Sequence, residues 1–414
     1  MAKELKALKQ NCTWELIELP AGKRAIGCRW VYKTKLKQNG SIDLYKARLV
    51  AKGYTQIECV DYFDSFSPVA KIVTVRIFIT VTTTHGWPLL QLDVNNAFLH
   101  GQLDEEVYML PPEGYAKANA RLVCRLRKSL YGLKQASRQW NIELTSKLES
   151  YGFKQSPHDH CLFIMRTDSL LLALIVYVDD VLLIGNSMAA LTDVKQSSHE
   201  TYVTQRKYLL DIVHDYHLDD AKATATPLPA GIKLDASSSS TLASPDRYRR
   251  LVGRLLYLSF PWPDISFAVQ QLSQFIQYPR QPHWEAALHL VRYLKGSPML
   301  GLFFEAGSSF KLTAYSDSDS ASSINTRRSI TGYCIFLGGS LISWKTKKQP
   351  TVSRSSAEAE YRSVGSTVCE LLWISYLLGE FAIAVDSPIL FHCDNKAAIH
   401  ITGNPIFHER TKHH

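Results

Sequence analysis

The stretch that decides the fold is Leu170 to Gly185, which reads LLLALIVYVDDVLLIG. Two apolar, β-rich runs, Leu170 to Val178 and Val181 to Gly185, are separated only by Asp179 and Asp180. This pattern predicts a β-hairpin with both carboxylates at its tip. An Asp-Asp pair can merely decorate a turn. Placing two ionised carboxylates beside buried strands, however, costs free energy unless cations compensate their charge.

Another carboxylate lies at the end of an apolar strand farther upstream. The break Gly86-Trp87-Pro88 precedes Leu89 to Leu92, which reads as a buried strand that Asp93 ends. Carboxylates on rigid strand ends can share two divalent cations about 4 Å apart, one activating the attacking oxygen and one stabilising the leaving group. Magnesium suits such oxygen ligands. Asp93, Asp179 and Asp180 are therefore candidate ligands of a two-metal site.

Basic residues are concentrated in two stretches on either side of Asp93. Nine basic residues between Lys23 and Lys52 accompany a single acid, Asp43, and the stretch Arg121 to Arg138 carries six basic residues and no acid. Aromatic residues are interleaved with these charges, as expected where phosphates are held and bases are stacked. The alternative is two solvated faces of a protein with a formal charge of +9. Two such stretches around an acidic site favour a nucleic-acid partner.

Length and composition predict a protein of several folded units inside the cell. The 414 residues correspond to two to four domains at roughly 150 residues each. The longest apolar run, Leu170 to Val178, is too short to span a bilayer as a helix, which takes about 20 residues. No apolar segment follows the N-terminal basic residues, so we expect no secretion signal. Eight cysteines without a C-x-x-C pair indicate a reducing compartment.

The remaining periodicities predict further elements around the central hairpin. Before the linker at Thr224 to Pro245, they predict a hairpin of Cys28 to Leu36 and Ile42 to Val50 with its turn at Gln38 to Ser41, and helices at Val73 to His85 and within Leu130 to Tyr151. After the linker, they predict helices at Tyr248 to Tyr278 and His283 to Leu294. The last part of the chain is predicted to form a strand from Phe310 to Tyr315, a hairpin around Gly338-Gly339, a helix from Ser355 to Glu380 and a strand from Ile389 to Cys393. From Phe310 onward this order indicates a compact α/β domain.

Three motifs together resemble the reverse transcriptase of copia-type LTR retrotransposons. They are Tyr177-Val178-Asp179-Asp180, Leu92 to Gly101 (LDVNNAFLHG) and Ser129 to Trp140 (SLYGLKQASRQW). The resemblance extends over nearly the whole chain. It implies a multidomain fold of α+β and α/β type, a right-hand polymerase with fingers, palm and thumb followed by an RNase H-like domain. The implied bounds are 12–223 for fingers and palm, 224–306 for linker, thumb and connection helices, and 307–414 for the RNase H-like domain.

The resemblance also implies a role for each candidate residue of the polymerase. Asp93 and Asp179 would bind two Mg²⁺ ions, or Mn²⁺, with Asp180 supporting the same cluster. Phe98 would lie under the incoming sugar and exclude a 2′-hydroxyl, although its spacing fits a plain core aromatic equally well. The family holds the triphosphate at the positions of Lys46 and Arg48. Residues that approach nucleotide and template are Tyr131, Gly132 and Lys134.

The C-terminal segment resembles the RNase H domain that follows the polymerase in the same polyprotein. The similar motifs are Ser316 to Asp319, Ser355 to Tyr361 and Cys393-Asp394-Asn395. They imply a second two-metal site with Asp317, Glu360 and Asp394 as ligands. Glu358 competes with Glu360, because residues two apart on a helix point about 200° apart and only one can face the site. Alignment with the family favours Glu360.

Two departures from the family are expected to matter. The segment 186–204 is shorter than in the family, which predicts a deletion within the palm, and the chain stops at His414 before a further RNase H carboxylate and a closing helix. The main hypothesis is an RNA-directed DNA polymerase with an RNase H-like domain. The alternatives are an inactive relic that at most binds nucleic acid and a stand-alone two-metal nuclease.

The expected partners follow from the same resemblance. They are an RNA or DNA template–primer, deoxynucleoside triphosphates and other products of the retrotransposon polyprotein, with no membrane. The expected location is intracellular, in cytoplasmic particles or the nucleus.

Overall fold

A computed structural model describes residues 1–37, 41–115, 121–187, 200–232, 234–235, 241–242 and 244–403. The chain forms two compact units, the first comprising Met1–Thr74 and Pro88–Val194 and the second Val75–Trp87 and Lys195–His414. Both mix helices with sheets, which confirms the predicted mixed α/β class. The second unit includes 224–306 together with 307–414, so the predicted bounds of thumb and RNase H-like domain stay predictions.

Strands outnumber helices in the first 187 residues. In chain order they are α1 (Ala2–Gln10), β1 (Trp14–Glu18), β2 (Ala25–Ile26), β3 (Cys28–Leu36), β4 (Ile42–Ala51), α2 (Ile72–His85), β5 (Leu89–Asp93), β6 (Gln102–Met109), β7 (Leu122–Lys128), α3 (Ala136–Ser150), β8 (Lys154–Gln155), β9 (Leu162–Arg166), β10 (Leu171–Tyr177) and β11 (Asp180–Gly185). Helix α2 begins in the first unit and continues in the second.

A five-stranded sheet in the order β5-β11-β10-β9-β8 carries the predicted central hairpin. Strand β10 is buried from Leu171 to Val176, which explains an unbroken apolar run in place of alternation. Leu144 and Leu148 of α3 pack against Leu174 and Val176, so the three-to-four-residue apolar spacing marks the face of α3 that covers the sheet. The hairpin and this helix confirm the sequence prediction.

The basic hairpin of β3 and β4 is also confirmed. Its two strands pair from Cys28 opposite Ala51 to Leu36 opposite Ile42. The predicted turn falls partly on residues 38–40, which lie outside the described residues. The end of the hairpin near Ile42 is exposed, whereas Leu49 and Ala51 at the other end are buried against a core that includes Leu8 of α1. A four-stranded sheet, β1-β7-β6-β2, completes this unit.

The second unit begins with mainly helical elements and ends in a sheet covered by helix. Its elements after α2 are β12 (Glu200–Val203), α4 (Arg206–Asp215), α5 (Pro245–Leu258), α6 (Ser266–Ser273), α7 (Gln281–Lys295), β13 (Leu302–Glu305), β14 (Leu312–Asp319), β15 (Ile330–Leu337), β16 (Ser340–Lys348), α8 (Ser356–Glu380), β17 (Leu390–His392) and α9 (Lys396–Gly403). Much of the predicted deletion within 186–204, the serine run at 237–240 and the stop at 414 lie outside the described residues.

Helices α4 to α7 share one apolar core. The single helix predicted over Tyr248 to Tyr278 is wrong, since the chain forms α5 and α6 with a short 3₁₀ turn at Pro263–Ile265 between them. Pro261 and Pro263 explain the break, because proline lacks the N–H that continues a helix and clashes with the preceding turn. Helix α7 begins two residues before the predicted His283, with Pro282 tolerated in its first turn.

The C-terminal sheet has the order β16-β15-β14-β17, with β17 parallel to β14. The predicted hairpin at Gly338-Gly339 and the helix from Ser355 are confirmed, with Ser355 serving as the N-cap of α8. The strand predicted to end at Tyr315 instead continues to Asp319. Its inward positions after Tyr315 are serines rather than large apolar residues, which hid the continuation from an apolar pattern.

Helix α8 has 25 residues and is the longest one described. Its polar and charged positions recur throughout, and none of the helices in the described ranges combines the length and apolarity needed to cross a membrane. All eight cysteines fall within those ranges, and each is a free thiol.

Candidate active site

The strand register brings together the carboxylates of β5 and β11. Asp180 lies directly opposite Asp93 in the antiparallel pair. Side chains at such positions have Cβ atoms about 4.5–5.5 Å apart. Tyr177 pairs with Asp180, so the two-residue turn is Val178-Asp179 and Asp180 belongs to β11. The prediction of both aspartates at the tip is therefore wrong by one residue, and the shift is what places Asp180 beside Asp93.

The turn itself is strained and anchored from two sides. Val178 has a φ of 59°, a left-handed conformation that is rare for a β-branched residue. The indole N–H of Trp140 in α3 donates to the Val178 carbonyl at 2.7 Å, and the N–H of Val94 donates to the Asp179 carbonyl at 2.8 Å. These bonds fix the turn relative to β5 and α3. Asp179 is thus held by its backbone rather than by side-chain partners.

Within the described ranges, the three carboxylates have no cationic partner. Asp93 and Asp180 are exposed and Asp179 is half-buried, and none of them forms an ion pair with another described residue. The side chain of Gln91 donates to Asp180 Oδ1 at 3.4 Å. Oxygen ligands without a cationic partner fit Mg²⁺ or Mn²⁺. Their oxygens do not, however, form a set within 4.8 Å of one another among the described residues.

An aromatic and cationic stack lies near this cluster. The Arg48 guanidinium is 4.2 Å from the centre of the Tyr131 ring, and the ring of Phe98 meets Tyr131 edge-on at 4.9 Å. Burial raises the pKa of Tyr131, and the negative charges of Asp179 and Asp93 add to this effect, whereas Arg48 opposes it. Phe98 packs against the core beneath β4 but is only half-buried, so part of the residue is accessible. The structure thus gathers three predicted nucleotide-site residues.

The free edge of β4 is held by two hydrogen bonds at residues that follow Arg48. The Leu49 N–H donates to the Glu4 carboxylate of α1, and the Ala51 N–H donates to the Tyr131 carbonyl at 2.7 Å. Burial raises the pKa of Glu4, opposed by the Leu49 N–H, Arg48 and Lys46. Lys46 and Arg48 share one face of β4 because strand side chains alternate. Sequence reasoning missed Glu4, since one acid among three lysines on α1 reads as a solvated face.

Gly132 allows the segment after Tyr131 to lie against β4. Its φ is +92°, and an added Cβ would be 2.3 Å from the Ala51 carbonyl oxygen. Lys134 follows but is engaged within the protein: its amine donates to the Tyr62 hydroxyl at 3.1 Å and to the Gln56 carbonyl at 3.4 Å. The structure places Lys134 with these groups rather than with the carboxylates.

Both basic stretches form ion pairs with acids from other segments. In the first, Lys23 pairs with Glu106 at 2.8 Å and Arg24 with Asp61 at 3.7 Å. Arg125 and Arg127 in β7 reach Glu15 of β1, at 3.7 and 2.7 Å, and Arg125 also reaches Glu106 of β6. Arg138 pairs with Asp64 at 3.1 Å. At least three of the six basic residues over 121–138 are therefore paired with acids that neighbouring strands and loops supply.

The C-terminal carboxylates also converge. Asp317 lies within β14, Asp394 follows the parallel β17, and Glu360 lies in the second turn of α8. Glu360 is only 5% exposed; its Oε1 accepts the Ser318 N–H at 3.1 Å, and its Oε2 is buried without a partner. Burial raises the pKa of Glu360 to about 7, and the charges of Asp317 and Asp394 add to the shift.

Glu358, the rival of Glu360, is used in the helix start. Its backbone N–H donates to Ser355 Oγ, its Oε2 accepts the Arg354 N–H at 2.8 Å, and its Oε1 pairs with Arg362 at 2.9 Å. These contacts stabilise the first turn of α8. Glu360 is the glutamate that lies with Asp394.

Cys393 is a neighbour that sequence reasoning missed. Ligand atoms of Glu360, Cys393 and Asp394 lie within 4.8 Å of one another, and this is the one such trio in the described part of the chain. Burial raises the pKa of the Cys393 thiol, with the three carboxylates contributing. A protonated thiol is a poor ligand for Mg²⁺, which prefers oxygen. Only its position next to Asp394 in the Cys-Asp-Asn motif could have indicated it.

A cavity of about 690 Å³ adjoins this cluster in the second unit. Asp317 and Asp394 line it together with Tyr315, Trp344 and His392, and the rings of Tyr315 and His392 stack at 4.5 Å. The two aspartates are therefore reachable from an open, largely aromatic space, while Glu360 lies behind them in the interior.

Comparison with known proteins agrees with these motifs. The family model for reverse transcriptase (RNA-dependent DNA polymerase) matches residues 11–202. The chain is 42% identical over its full length to the retrovirus-related Pol polyprotein from transposon RE2 of Arabidopsis thaliana and 34% identical to that from transposon TNT 1-94 of Nicotiana tabacum. It spans 30% and 34% of those polyproteins.

A shorter relative is covered completely. The putative transposon Ty5-1 protein of Saccharomyces cerevisiae is 30% identical over 68% of this chain and 100% of its own length. The matched segment 11–202 contains the β5–β11 carboxylates and the Tyr131 loop. The chain therefore belongs to the reverse transcriptase family of copia-type, retrovirus-related Pol polyproteins.

Proposed function

We propose that the chain is an RNA-directed DNA polymerase that uses two divalent cations at Asp93, Asp179 and Asp180. The observation that carries the proposal is the register of β5 and β11, which sets Asp180 opposite Asp93 with Asp179 in the adjoining turn. Mg²⁺ fits these unpaired oxygen ligands, and Mn²⁺ is the alternative. When bound, the ions activate the primer 3′-oxygen and stabilise the leaving pyrophosphate.

The protein's own groups would bind and orient the nucleotide. Lys46 and Arg48 on one face of β4 supply fixed positive charge for the triphosphate. Tyr131 supports Arg48 through its ring and braces Phe98 edge-on. The accessible part of Phe98 would exclude a ribose 2′-hydroxyl. Gly132 lets this loop lie against the backbone of β4, where the template approaches.

The second part of the proposal is an RNase H-like hydrolysis at Asp317, Glu360 and Asp394. The buried, unpartnered Oε2 of Glu360 fits a divalent cation, because an ionised carboxylate there has no protein group to compensate it. Asp317 and Asp394, which line the open cavity, would be the other carboxylates that hold it. Cys393 remains a neutral neighbour of the site.

The proposed partners and arrangement follow the family. Residues 12–223 would form fingers and palm, 224–306 linker, thumb and connection, and 307–414 the RNase H-like domain. The partners would be an RNA or DNA template–primer and deoxynucleoside triphosphates, together with other products of the retrotransposon polyprotein. The proposed location is cytoplasmic particles or the nucleus.

Primer extension tests the polymerase directly. The full chain is given a DNA primer on an RNA template with Mg²⁺ or Mn²⁺, beside Asp179→Asn. We expect metal-dependent extension that the variant loses. Salt-sensitive binding of the template–primer without any extension would instead support the non-catalytic relic. Extension that persists in Asp179→Asn would contradict the assignment of the site.

A further inference from the structure

A basic groove runs between β16 and α8 of the second unit. It encloses about 510 Å³, and its eleven lining residues include three lysines and one arginine but no acid. Its helical side is formed by residues such as Gly365 and Cys369, which lie about 140° and 180° around α8 from Glu360 at 3.6 residues per turn. These positions of the groove lie on the side of α8 away from Glu360, while Lys345 also lines the cavity beside Asp317 and Asp394.

Two of the lysines are exposed and available. Lys345 and Lys347 are alternate residues of β16, so they share one face about 6.8 Å apart, close to the spacing of successive phosphates on an extended strand. Neither makes an ion pair with another described residue. The other two cations are engaged: Lys348 donates to Gln274 Oε1 at 2.9 Å, and Arg362 pairs with Glu358.

The helical side of the groove is open. A Cβ added to Gly365 would have no atom within 4 Å. Ser366 and Cys369 on the same side are exposed, and Tyr361 presents a half-buried aromatic ring at the end nearest the N-terminus of α8. A nucleic-acid strand fits this groove: its phosphates match the two neighbouring lysines, and a base can stack on the aromatic ring.

We propose that this groove binds the backbone of a nucleic-acid strand, with Lys345 and Lys347 each contacting a phosphate. The proposal rests on the nucleic-acid partner of the proposed function but on neither of its reactions. An acidic polypeptide is the competing occupant, and it lacks both the regular phosphate spacing and a base to stack on Tyr361.

Cys369 provides a local readout, because its thiol is exposed and lines the groove. The full chain is alkylated with iodoacetamide in EDTA, with and without an RNA–DNA hybrid oligonucleotide, and each cysteine is quantified by mass spectrometry. We expect bound hybrid to slow alkylation of Cys369 at least threefold. Anisotropy of the labelled hybrid in the same samples establishes that it is bound, and EDTA separates this result from metal-dependent catalysis.

Two variants and two controls decide the interpretation. Lys345→Ala/Lys347→Ala and Gly365→Glu should abolish the protection, the second by placing a carboxylate in open space on a helix that tolerates it better than glycine. Gly365→Ala and Lys311→Ala, which changes an exposed lysine outside the groove, should retain it. Unchanged alkylation of Cys369 on bound hybrid would overturn the proposal. Protection that survives both groove variants, or equal protection by polyglutamate, would overturn it too.

Discussion

The two carboxylate clusters solve the problem of gathering negative charge in different ways. Asp93, Asp179 and Asp180 lie at an accessible hairpin end, where the strand register and a strained turn fix the backbone. Glu360 is buried with an unpartnered oxygen, and its pKa is raised to about 7. The comparison teaches that backbone geometry brings the carboxylates of the first cluster together. In the second cluster, burial disfavours the ionised form of Glu360 unless a proton or a cation neutralises it.

The largest expected effect is on the accessible cluster. Asp179→Asn removes a charge that cations require, and a loss of several kcal/mol of transition-state stabilisation corresponds to about a thousandfold or more in rate. Single-nucleotide incorporation on a primed RNA template measures it. Asp168→Asn, an exposed aspartate between β9 and β10, is the matched control and should keep the wild-type rate. Because Asp179 is held by its backbone, we expect no loss of stability in Asp179→Asn.

At the buried cluster, removing a carboxylate charge should change the stability of the metal-free chain. The raised pKa of Glu360 means that the folded chain binds more protons than the unfolded chain between about pH 4.5 and 7, so stability without metal falls as pH rises through this window. Glu360→Gln keeps an acceptor for the Ser318 N–H and removes the buried charge. We expect it to remove this pH dependence and to stabilise the metal-free chain by about 1–3 kcal/mol at pH 8.

Denaturant unfolding in EDTA at pH 5 and pH 8 measures this effect. Glu358→Gln, which changes the neighbouring glutamate at the helix start, is the control and should leave the pH dependence in place. A wild-type chain that is equally stable at both pH values would show that Glu360 does not carry the buried charge.

A smaller effect is expected at the strained turn. Trp140→Phe keeps a ring in the core but removes the indole donor to the Val178 carbonyl, which costs about 1–3 kcal/mol when a buried acceptor is left unpaired. We expect incorporation to slow about tenfold. Trp30→Phe removes a 3.2 Å bond to the Glu113 carbonyl that is exposed to solvent, and it should change the rate little. Equal slowing in both variants would mean that the turn is not specifically held by α3.

The smallest effect is local and concerns the edge of β4. Glu4→Ala removes the acceptor of the Leu49 N–H, so exchange of that amide should accelerate about tenfold while most other amides of the first unit are unchanged. Glu4→Gln retains an acceptor and should restore much of the protection. Hydrogen–deuterium exchange measures both, with the exposed Lys6→Ala on the same helix as control. If exchange of the Leu49 amide is unaltered in Glu4→Ala, Glu4 does not hold the part of β4 that carries Arg48.

Local patterns predicted the elements around the first cluster well. The apolar runs of β10 and β11, the spacing on α3 and the turn between β15 and β16 are short-range signals, and each element formed where predicted. The tip of the central hairpin was misplaced by one residue. Sequence cannot distinguish Val178-Asp179 from Asp179-Asp180 as the turn, because the bonds from Trp140 and Val94 that hold it are tertiary.

Long-range contacts account for what the sequence did not predict. Glu15 and Glu106 are distant in sequence from Arg125 yet lie on neighbouring strands, so their ion pairs with this arginine could not be read from the basic stretch itself. The contacts of Glu4 depend on the packing of α1 against β4, and the position of Cys393 beside the carboxylates depends on the pairing of β17 with β14. Neither long-range contact can be read from the local sequence. The roles of the site residues came from the family resemblance, and they stay predictions until activity is measured.

The most direct test of two separate centres uses one substrate that reports both reactions. A DNA primer and an RNA template carry different labels, and extension of the first and cleavage of the second are followed together in Mg²⁺. The account predicts that the wild-type chain does both, Asp179→Asn loses extension but retains cleavage, and Glu360→Gln loses cleavage but retains extension. A wild-type chain with neither activity, or variants that lose both together, would contradict it.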